Sequence, residues 1–193
     1  MAPRLKEKFT STVAESVGAE FGIKNPMALP RLVKIIVSVG VGKELEGTKL
    51  NANVREQVIA DLAVITGQRP IMKRANKSVA NFKIRQGYEV GAMVTLRGVR
   101  MWEFLDRLIA MAIPRIKDFR GLNPNSFDGR GNYCFGVVEQ GIFPEVNMSE
   151  VKFTHGMHVN LVFSNSSDDI SRFVLRQIGM PFSDMDQKTE SDN

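Results

Sequence analysis

The sequence predicts an α+β fold, with a mostly antiparallel sheet of about five strands, helices packed on one face and the other face open. Segments with apolar residues at every second position alternate with segments that repeat every third or fourth position, in the order α-β-α-β-β-α-β-β-α. Each helical segment has one apolar stripe, so the helices need only one face of the sheet to bury against. The 193 residues, 43% hydrophobic, suit a single domain with its own core.

The first half of the chain contains two predicted helices and three predicted strands. Apolar residues at every fourth position predict an N-terminal helix that Gly22 and Pro26 end, and a second helix over about 50–65 that Gly67 ends. Residues 69–73 and 90–97 have strand character. Residues 32–39 also alternate, which predicts Val33, Ile35, Val37 and Val39 on the inward face and Lys34, Ile36 and Ser38 on the other.

The second half begins with a strong helical pattern over residues 101–113, which Pro114 disrupts. A stretch rich in Gly, Asn and Asp follows, DFRGLNPNSFDGRGN, and predicts an ordered loop. Residues 132–139 and 157–164 are predicted strands. A last helix begins after Ser167, Asp168 and Asp169, runs to Ile178 and ends at Gly179. We assign residues 1–182 to one domain and 183–193 to an acidic, disordered tail.

The sheet face opposite the predicted core is rich in small hydrogen-bonding groups. Such groups can bind ribose and phosphate without burying an unpaired charge. An ordinary solvated face is the alternative, and the alternation leaves both open. The residues predicted on this face are Lys34, Ser38, Met93, Thr95, Arg97, His158, Asn160 and Ser164.

The positive charge is concentrated in the middle of the chain. The net charge is +5, and residues 69–130 hold thirteen Lys and Arg against five Asp and Glu. A basic centre beside an acidic end indicates one surface committed to a polyanion. A soluble charged loop is the alternative on charge alone.

The basic connector at residues 74–87 sharpens this prediction. Its cations are spaced so that they can follow a phosphate backbone, and Phe82 is positioned to stack on a base or to anchor the loop. Connectors of this length between two strands exceed the usual hairpin and are often functional. We therefore predict a protruding basic arm that reaches RNA.

The sequence argues against catalysis, metal binding and membrane insertion. Gly40-Val41-Gly42-Lys43 lacks the earlier glycine and the following Ser or Thr of a phosphate loop, because Val37 and Glu44 occupy those positions. His155 and His158 have no further ligands nearby, and the single cysteine, Cys134, excludes an internal disulfide. We find no secretory signal and no apolar run that would span a bilayer, so the expectation is a cytoplasmic protein without cofactors.

Long motifs carry a family resemblance. The runs TLRG-x-RMWEFLDRL and DFRGL-x-P-x-SFDGRGNY, together with PRLVKIIVSVGVG and the closing GMPF, resemble the bacterial-type fifth large-subunit ribosomal protein family. That resemblance implies a curved antiparallel sheet with helices on one side, and a structural protein of the central protuberance whose open sheet face holds a loop of the 5S rRNA. It covers nearly the whole chain.

The resemblance also implies roles for individual residues. Gln68 and Thr95 match positions that hydrogen-bond 5S rRNA; Ser38 stands where Asn is usual, so a weaker or water-mediated contact is expected there. Lys34 and Arg97 are predicted on the same surface. The implied arm to the peptidyl-site tRNA contains Arg74, Lys77, Ser78, Lys83 and Arg85.

The same resemblance implies protein partners. Residues around 115–133, with Arg115, Arg120 and Arg130, correspond to the surface that meets the thirteenth protein of the small subunit. Neighbouring large-subunit proteins are further expected partners. A free-standing RNA-binding factor is the alternative, and an enzyme is the third hypothesis, for which no residues can be named.

Overall fold

The chain contains seven strands within the residues that the computed structural model describes, which are 3–42, 45–46, 49–149 and 151–183. Five of them form one antiparallel sheet in the spatial order β4-β5-β1-β7-β6, while β2 and β3 pair as a separate hairpin. The predicted α+β class is confirmed. The strands are β1 Arg31–Gly40, β2 Leu45–Glu46, β3 Lys49–Leu50, β4 Ile71–Arg74, β5 Glu89–Leu96, β6 Tyr133–Val137 and β7 Met157–Ser164.

The predicted helices are all present, and glycines end three of them. Gly22 and Gly67 each adopt a left-handed conformation with φ of 66°, and Gly179 one with φ of 106°. At the start of the last helix, the Ser167 hydroxyl accepts from the Ile170 amide at 3.5 Å. The helices are α1 Arg4–Lys8, α2 Ala14–Phe21, α3 Ala52–Thr66, α4 Gly98–Arg107 and α5 Asp168–Ile178.

Two helices are longer than their α-helical parts. A π-helical turn, Phe9–Val13, joins α1 to α2, and a second one, Leu108–Ala112, continues α4 into a 3-10 turn at Ile113–Arg115. The predicted helix over 101–113 therefore begins three residues earlier, at Gly98, and ends in a tighter turn that accommodates Pro114.

The core lies between the helices and one face of the sheet. Ile35 and Val37 of β1 are fully buried, as are Leu62 of α3, Leu105 of α4 and Val174 of α5. Successive side chains of a strand point to opposite faces, so this packing uses one face of the five-stranded sheet. The described residues leave the other face of the sheet uncovered. Because all the helices lie on the core side, this open face is the candidate site.

One predicted core residue is misplaced. Val33 was expected on the inward face, but it is 39% exposed. The register between β1 and β7 shifts between Leu32 and Lys34, so a β-bulge inserts an extra residue there. Leu32 takes the inward position instead, and the alternation then continues as predicted from Lys34 to Val39.

The C-terminal end of the described chain folds back on the central loop. The Ser183 amide donates to the Leu122 carbonyl at 2.9 Å, and the Leu122 amide donates to the Pro181 carbonyl at 2.8 Å. The rest of the predicted acidic tail, 184–193, lies outside the described residues. None of the helices described is long and apolar enough to cross a membrane.

Candidate nucleic-acid interface

Two rows of side chains cross the uncovered face of the sheet. The pairing of adjacent strands aligns them, because directly opposed residues of an antiparallel pair lie on the same face. Every non-glycine member is half-buried or exposed, so none belongs to the core. The first row is Thr95, Ile36, Asn160 and Cys134; the second is Ile71, Met93, Ser38, His158 and Gly136.

The residues predicted to face away from the core all do so. Lys34 lies opposite Val162, one level beyond Ile36, and its side chain is half-buried. Arg97 follows β5 directly, immediately precedes α4 and is exposed. Ser38 and Thr95 are half-buried on neighbouring strands. Four of the five predicted rRNA-binding residues therefore lie on or at the edge of one surface.

Gln68, the fifth residue, reaches this surface from the end of α3. Its side-chain nitrogen donates to the Thr95 carbonyl at 3.4 Å. Its backbone amide donates to the hydroxyl of buried Thr66 at 3.3 Å, and that hydroxyl donates to the Leu62 carbonyl at 2.6 Å. Thr66 thus fixes the backbone at Gln68, and the structure brings Gln68 and Thr95 together.

The arm at residues 74–87 is an ordered extension of the β4–β5 hairpin. Backbone hydrogen bonds join Ala75 to Tyr88 and Val79 to Ile84, each at 2.9 Å. The Ser78 hydroxyl accepts from the Gln86 amide at 2.9 Å, which ties the two sides of the arm together. Because Ser78 makes this internal bond, its place in the arm is explained by structure without any contact to RNA.

The cations of the arm are exposed, and none makes an ion pair with the described part of the chain. Two of the five acids of the basic middle segment pair with cations outside it: Glu89 pairs with Arg55 at 2.7 Å, and Asp106 with Arg4 at 2.7 Å. The field of the arm is therefore left available for a polyanion. The exposed arm cations are Arg74, Lys77, Lys83 and Arg85.

The predicted bridge residues lie on loops around β6. Arg115, Arg120 and Arg130 are all exposed. The loop that carries Arg130 is held by two carboxylates. Asp128 accepts from the Arg130 amide at 2.9 Å, and Asp168 accepts from the Gly131 amide at 2.6 Å. The predicted ordered loop is confirmed, and its geometry presents Arg130 at the surface.

These contacts also perturb the loop carboxylate. The Asn132 side-chain amide donates to Asp128 at 2.7 Å and holds the pKa of that carboxyl below its ordinary value, with help from backbone amides. The lowered pKa extends the ionised range of Asp128 toward acidic pH, so the carboxylate keeps its hydrogen bonds with Asn132 and the Arg130 amide there.

The two histidines do not form a site together. His155 is buried, and its Nε2 lies 3.1 Å from Asp61, whereas His158 is exposed on the open face. No group of three or more His, Cys, Asp or Glu among the described residues is arranged to hold a metal ion.

Comparison with known proteins agrees with this architecture. The family model described as "Ribosomal protein L5" matches residues 25–85, and the model of the ribosomal L5P family C-terminus matches residues 89–182. The chain is 51% identical over 179 residues to the large ribosomal subunit protein uL5 of Rubrobacter xylanophilus, with 93% of this chain and 97% of the relative covered. The corresponding values for the uL5 proteins of Acidobacterium capsulatum and Anaeromyxobacter sp. are 48% and 47% identity, each over 182 residues, with 94% of this chain and 98% or 99% of the relative covered.

The chain belongs to the uL5 family. It is therefore a ribosomal structural protein of the large subunit and not an enzyme. Its place is the cytoplasmic ribosome, among rRNA and other ribosomal proteins. The predicted family is confirmed, and the hypothesis of an unrecognised enzyme is excluded by it.

The sequence analysis did not identify several residues that form or support these surfaces of the uL5 chain. Cys134 and Gly136 of β6 belong to the two rows, a position that the alternation of Tyr133, Phe135 and Val137 already implied. Thr66 and Asp168 escaped because their contacts join residues distant in sequence. No local pattern indicates that the Asp168 carboxylate closes a loop 37 residues earlier.

Cys134 offers a chemical probe of the surface. Burial raises the pKa of the Cys134 thiol, although its side chain remains accessible. A raised pKa leaves less reactive thiolate at a given pH. We expect alkylation of the folded chain near pH 7.5 to be several-fold slower than alkylation of the chain in denaturant, with the difference narrowing as pH rises above the thiol pKa. A timed iodoacetamide reaction followed by mass spectrometry measures the two alkylation rates. Equal rates at neutral pH would contradict a raised pKa of the Cys134 thiol.

Proposed function

We propose that this chain holds 5S rRNA on the open face of its sheet within the central protuberance of the large subunit. Its basic arm contacts the peptidyl-site tRNA, and its loops around residues 115–133 bridge to the thirteenth protein of the small subunit. One observation carries the proposal: an uncovered sheet face with hydroxyl and amide groups lies beside an arm whose cations make no ion pair with the described residues.

The open face suits folded RNA better than a protein partner. Ser38, Thr95 and Asn160 present hydroxyl and amide groups that both donate and accept hydrogen bonds, as ribose hydroxyls and base edges require. Gln68 keeps an amide oxygen beside Thr95 while its nitrogen is bound to the Thr95 carbonyl. Lys34 and Arg97 add charge beside the first row, on its side away from the second row, where phosphates would lie.

The arm suits a second, separate RNA contact. Its internal hydrogen bonds order the backbone in advance, so binding costs less conformational entropy than ordering a free loop. Lys77, Lys83 and Arg85 then supply charge for phosphates without first breaking an ion pair within the described chain.

The bridge is supported by the rigid presentation of its cations. Arg130 stands on a loop fixed by Asp128 and Asp168, and Arg115 ends the turn that follows α4. An exposed guanidinium on an ordered loop is well suited to pair with a carboxylate of a partner protein.

The proposal is tested first by a gel-shift titration. Purified 5S rRNA of Rubrobacter xylanophilus, with an unrelated RNA of equal length as competitor, should give saturable binding that falls with salt at a log–log slope near −0.7 to −0.9 per phosphate neutralised. Bound RNA should also protect Cys134 from alkylation, because Cys134 shares a row with Thr95 and Asn160. Binding no tighter than to the competitor, or no protection of Cys134, would remove 5S rRNA from this face.

Thr95 gives the sharpest single-residue prediction on this face. Replacing it with Val, which is nearly isosteric, should cost about 1–3 kcal/mol of 5S rRNA affinity, since the RNA group that the hydroxyl serves is left unpaired. Thr10→Val, on the exposed side of the N-terminal helix, is the matched control and should bind as the wild type does. Unchanged affinity in Thr95→Val would exclude its hydroxyl from the site.

A further inference from the structure

An open groove of about 750 Å³ separates the arm from the ends of the central strands. The arm contributes Phe82 and Ile84 to it; β7 contributes His158, and Val138, which follows β6, lines it as well. Four glycines of the sheet and its adjoining loops line the groove between these walls: Gly40, Gly42, Gly136 and Gly156.

The arm wall carries an aromatic ring that the fold does not use. Phe82 is 70% exposed, so it does not anchor the arm in the core. Among the described residues that line the groove, none is an Asp or Glu. An exposed ring in a groove whose described lining has no carboxylate is a surface on which a nucleobase can stack.

The glycines keep the groove open and are not all required by packing. A Cβ at Gly136 would meet nothing closer than the His158 ring at 3.7 Å, and one at Gly40 or Gly42 would meet nothing within 4 Å. At Gly156, by contrast, a Cβ would lie 2.8 Å from the Val137 carbonyl oxygen. Three of the four glycines therefore leave space that side chains would otherwise fill.

The groove is continuous with the open face. Gly136 and His158 line the groove and also belong to the row that contains Ser38. One level further along the sheet, Lys73 lies opposite Gly91, and Gly91 lies opposite Gly40. Lys73 thus stands at the groove end of the open face as an exposed cation with glycines beside it.

We propose that this groove takes one unstacked nucleotide of the 5S rRNA, with its base on the Phe82 ring and its phosphate beside Lys73. The proposal rests on the proposed binding of 5S rRNA to the open face, because the groove continues that face. The charge of Lys73 and the ring of Phe82 favour a nucleotide over an apolar peptide, because an apolar peptide has no negative group to pair with Lys73. Looped-out bases are the part of a folded RNA that such a groove can accept.

The experiment compares four variants by gel-shift titration against Rubrobacter xylanophilus 5S rRNA. Phe82→Ala and Gly136→Val should each lower affinity about tenfold, the first by removing the stacking surface and the second by filling the groove. Phe82→Tyr keeps the ring and should bind within about twofold of the wild type. Val99→Ala, an exposed apolar residue of α4, is the control for loss of apolar surface and should have no effect. Thermal melting confirms that each variant is folded.

Two further readouts separate stacking from charge. Phe82→Ala should leave the salt slope unchanged, whereas Lys73→Gln should reduce it by about 0.7–0.9, the value for one phosphate. Ultraviolet irradiation of the wild-type complex should cross-link a single 5S rRNA nucleotide to the peptide that contains Phe82.

Wild-type affinity in both Phe82→Ala and Gly136→Val would overturn the proposal. A cross-link that forms with tRNA and not with 5S rRNA would overturn the assigned source. Failure of the proposed function is distinguishable from either result, since the wild-type chain itself would then bind 5S rRNA no better than the competitor RNA.

Discussion

Replacing Ile36 with glutamate is expected to lower the affinity for 5S rRNA by about 100- to 1,000-fold. Ile36 lies at the centre of the open face, opposite Thr95 on one side and Asn160 on the other. A carboxylate there would face the RNA backbone, and a juxtaposition of like charges at an interface costs several kcal/mol, where each 1.4 kcal/mol is tenfold in affinity. The side chain is only half-buried, so the strand should accept the change.

Val64→Glu is the matched control for this prediction. Val64 is 52% exposed on α3, on the helical side of the sheet, and the substitution adds the same charge to the chain. It should lower affinity only by the weak, screened effect of one distant charge. Equal losses in the two variants would mean that the net charge matters and the location does not, and the open face would no longer be the binding surface. Circular dichroism melts of both variants check the fold.

The residues of the open face could be predicted from the sequence because side chains alternate between the two faces of a strand. Residues 157–164 were predicted as a strand with those bounds, and the buried set Met157, Val159 and Leu161 lies on one face as alternation requires. The helix ends follow from glycines that can adopt positive φ, as at Gly67. These features depend on neighbours in the chain, which a sequence displays directly.

Features that depend on distant partners could not be predicted in the same way. The bulge at Val33 arises from how β1 meets β7, not from any residue type within β1. The same holds for the groove, because Phe82 and Gly136 are 54 positions apart in the chain and the groove exists only once both walls are in place. Local sequence patterns therefore predict which residues share a face, whereas the contacts between distant segments are known only from the structure.

The charge of the arm also depends on distant partners. The sequence indicates that residues 69–130 are basic, but the cations of a basic segment can be neutralised by ion pairs within the protein. In the structure, Glu89 pairs with Arg55, which lies outside that segment, and so it does not neutralise the arm. Exposed ion pairs contribute little stability. Because these acids pair elsewhere, Lys77, Lys83 and Arg85 have no ion-pair partner among the described residues and keep their charge for a binding partner.

Changing Lys77, Lys83 and Arg85 together to Ala should reduce the affinity of the chain for tRNA by several hundred-fold while 5S rRNA binding stays nearly intact. Each cation is expected to make one charge-assisted contact worth about 1–1.5 kcal/mol, and the three lie on the arm, apart from the two rows of the open face. The salt slope for tRNA should fall by about 2–3, since three phosphates lose their partners.

The control is the triple variant Arg115→Ala, Arg120→Ala and Arg130→Ala, which removes the same charge from the loops around β6 and should leave tRNA affinity within a few-fold of wild type. Filter-binding titrations with both RNAs at several salt concentrations measure all four affinities. If the arm variant instead loses 5S rRNA and keeps tRNA, the roles of the two surfaces are reversed, because the free cations of the arm would then serve the RNA that the sheet was assigned to hold.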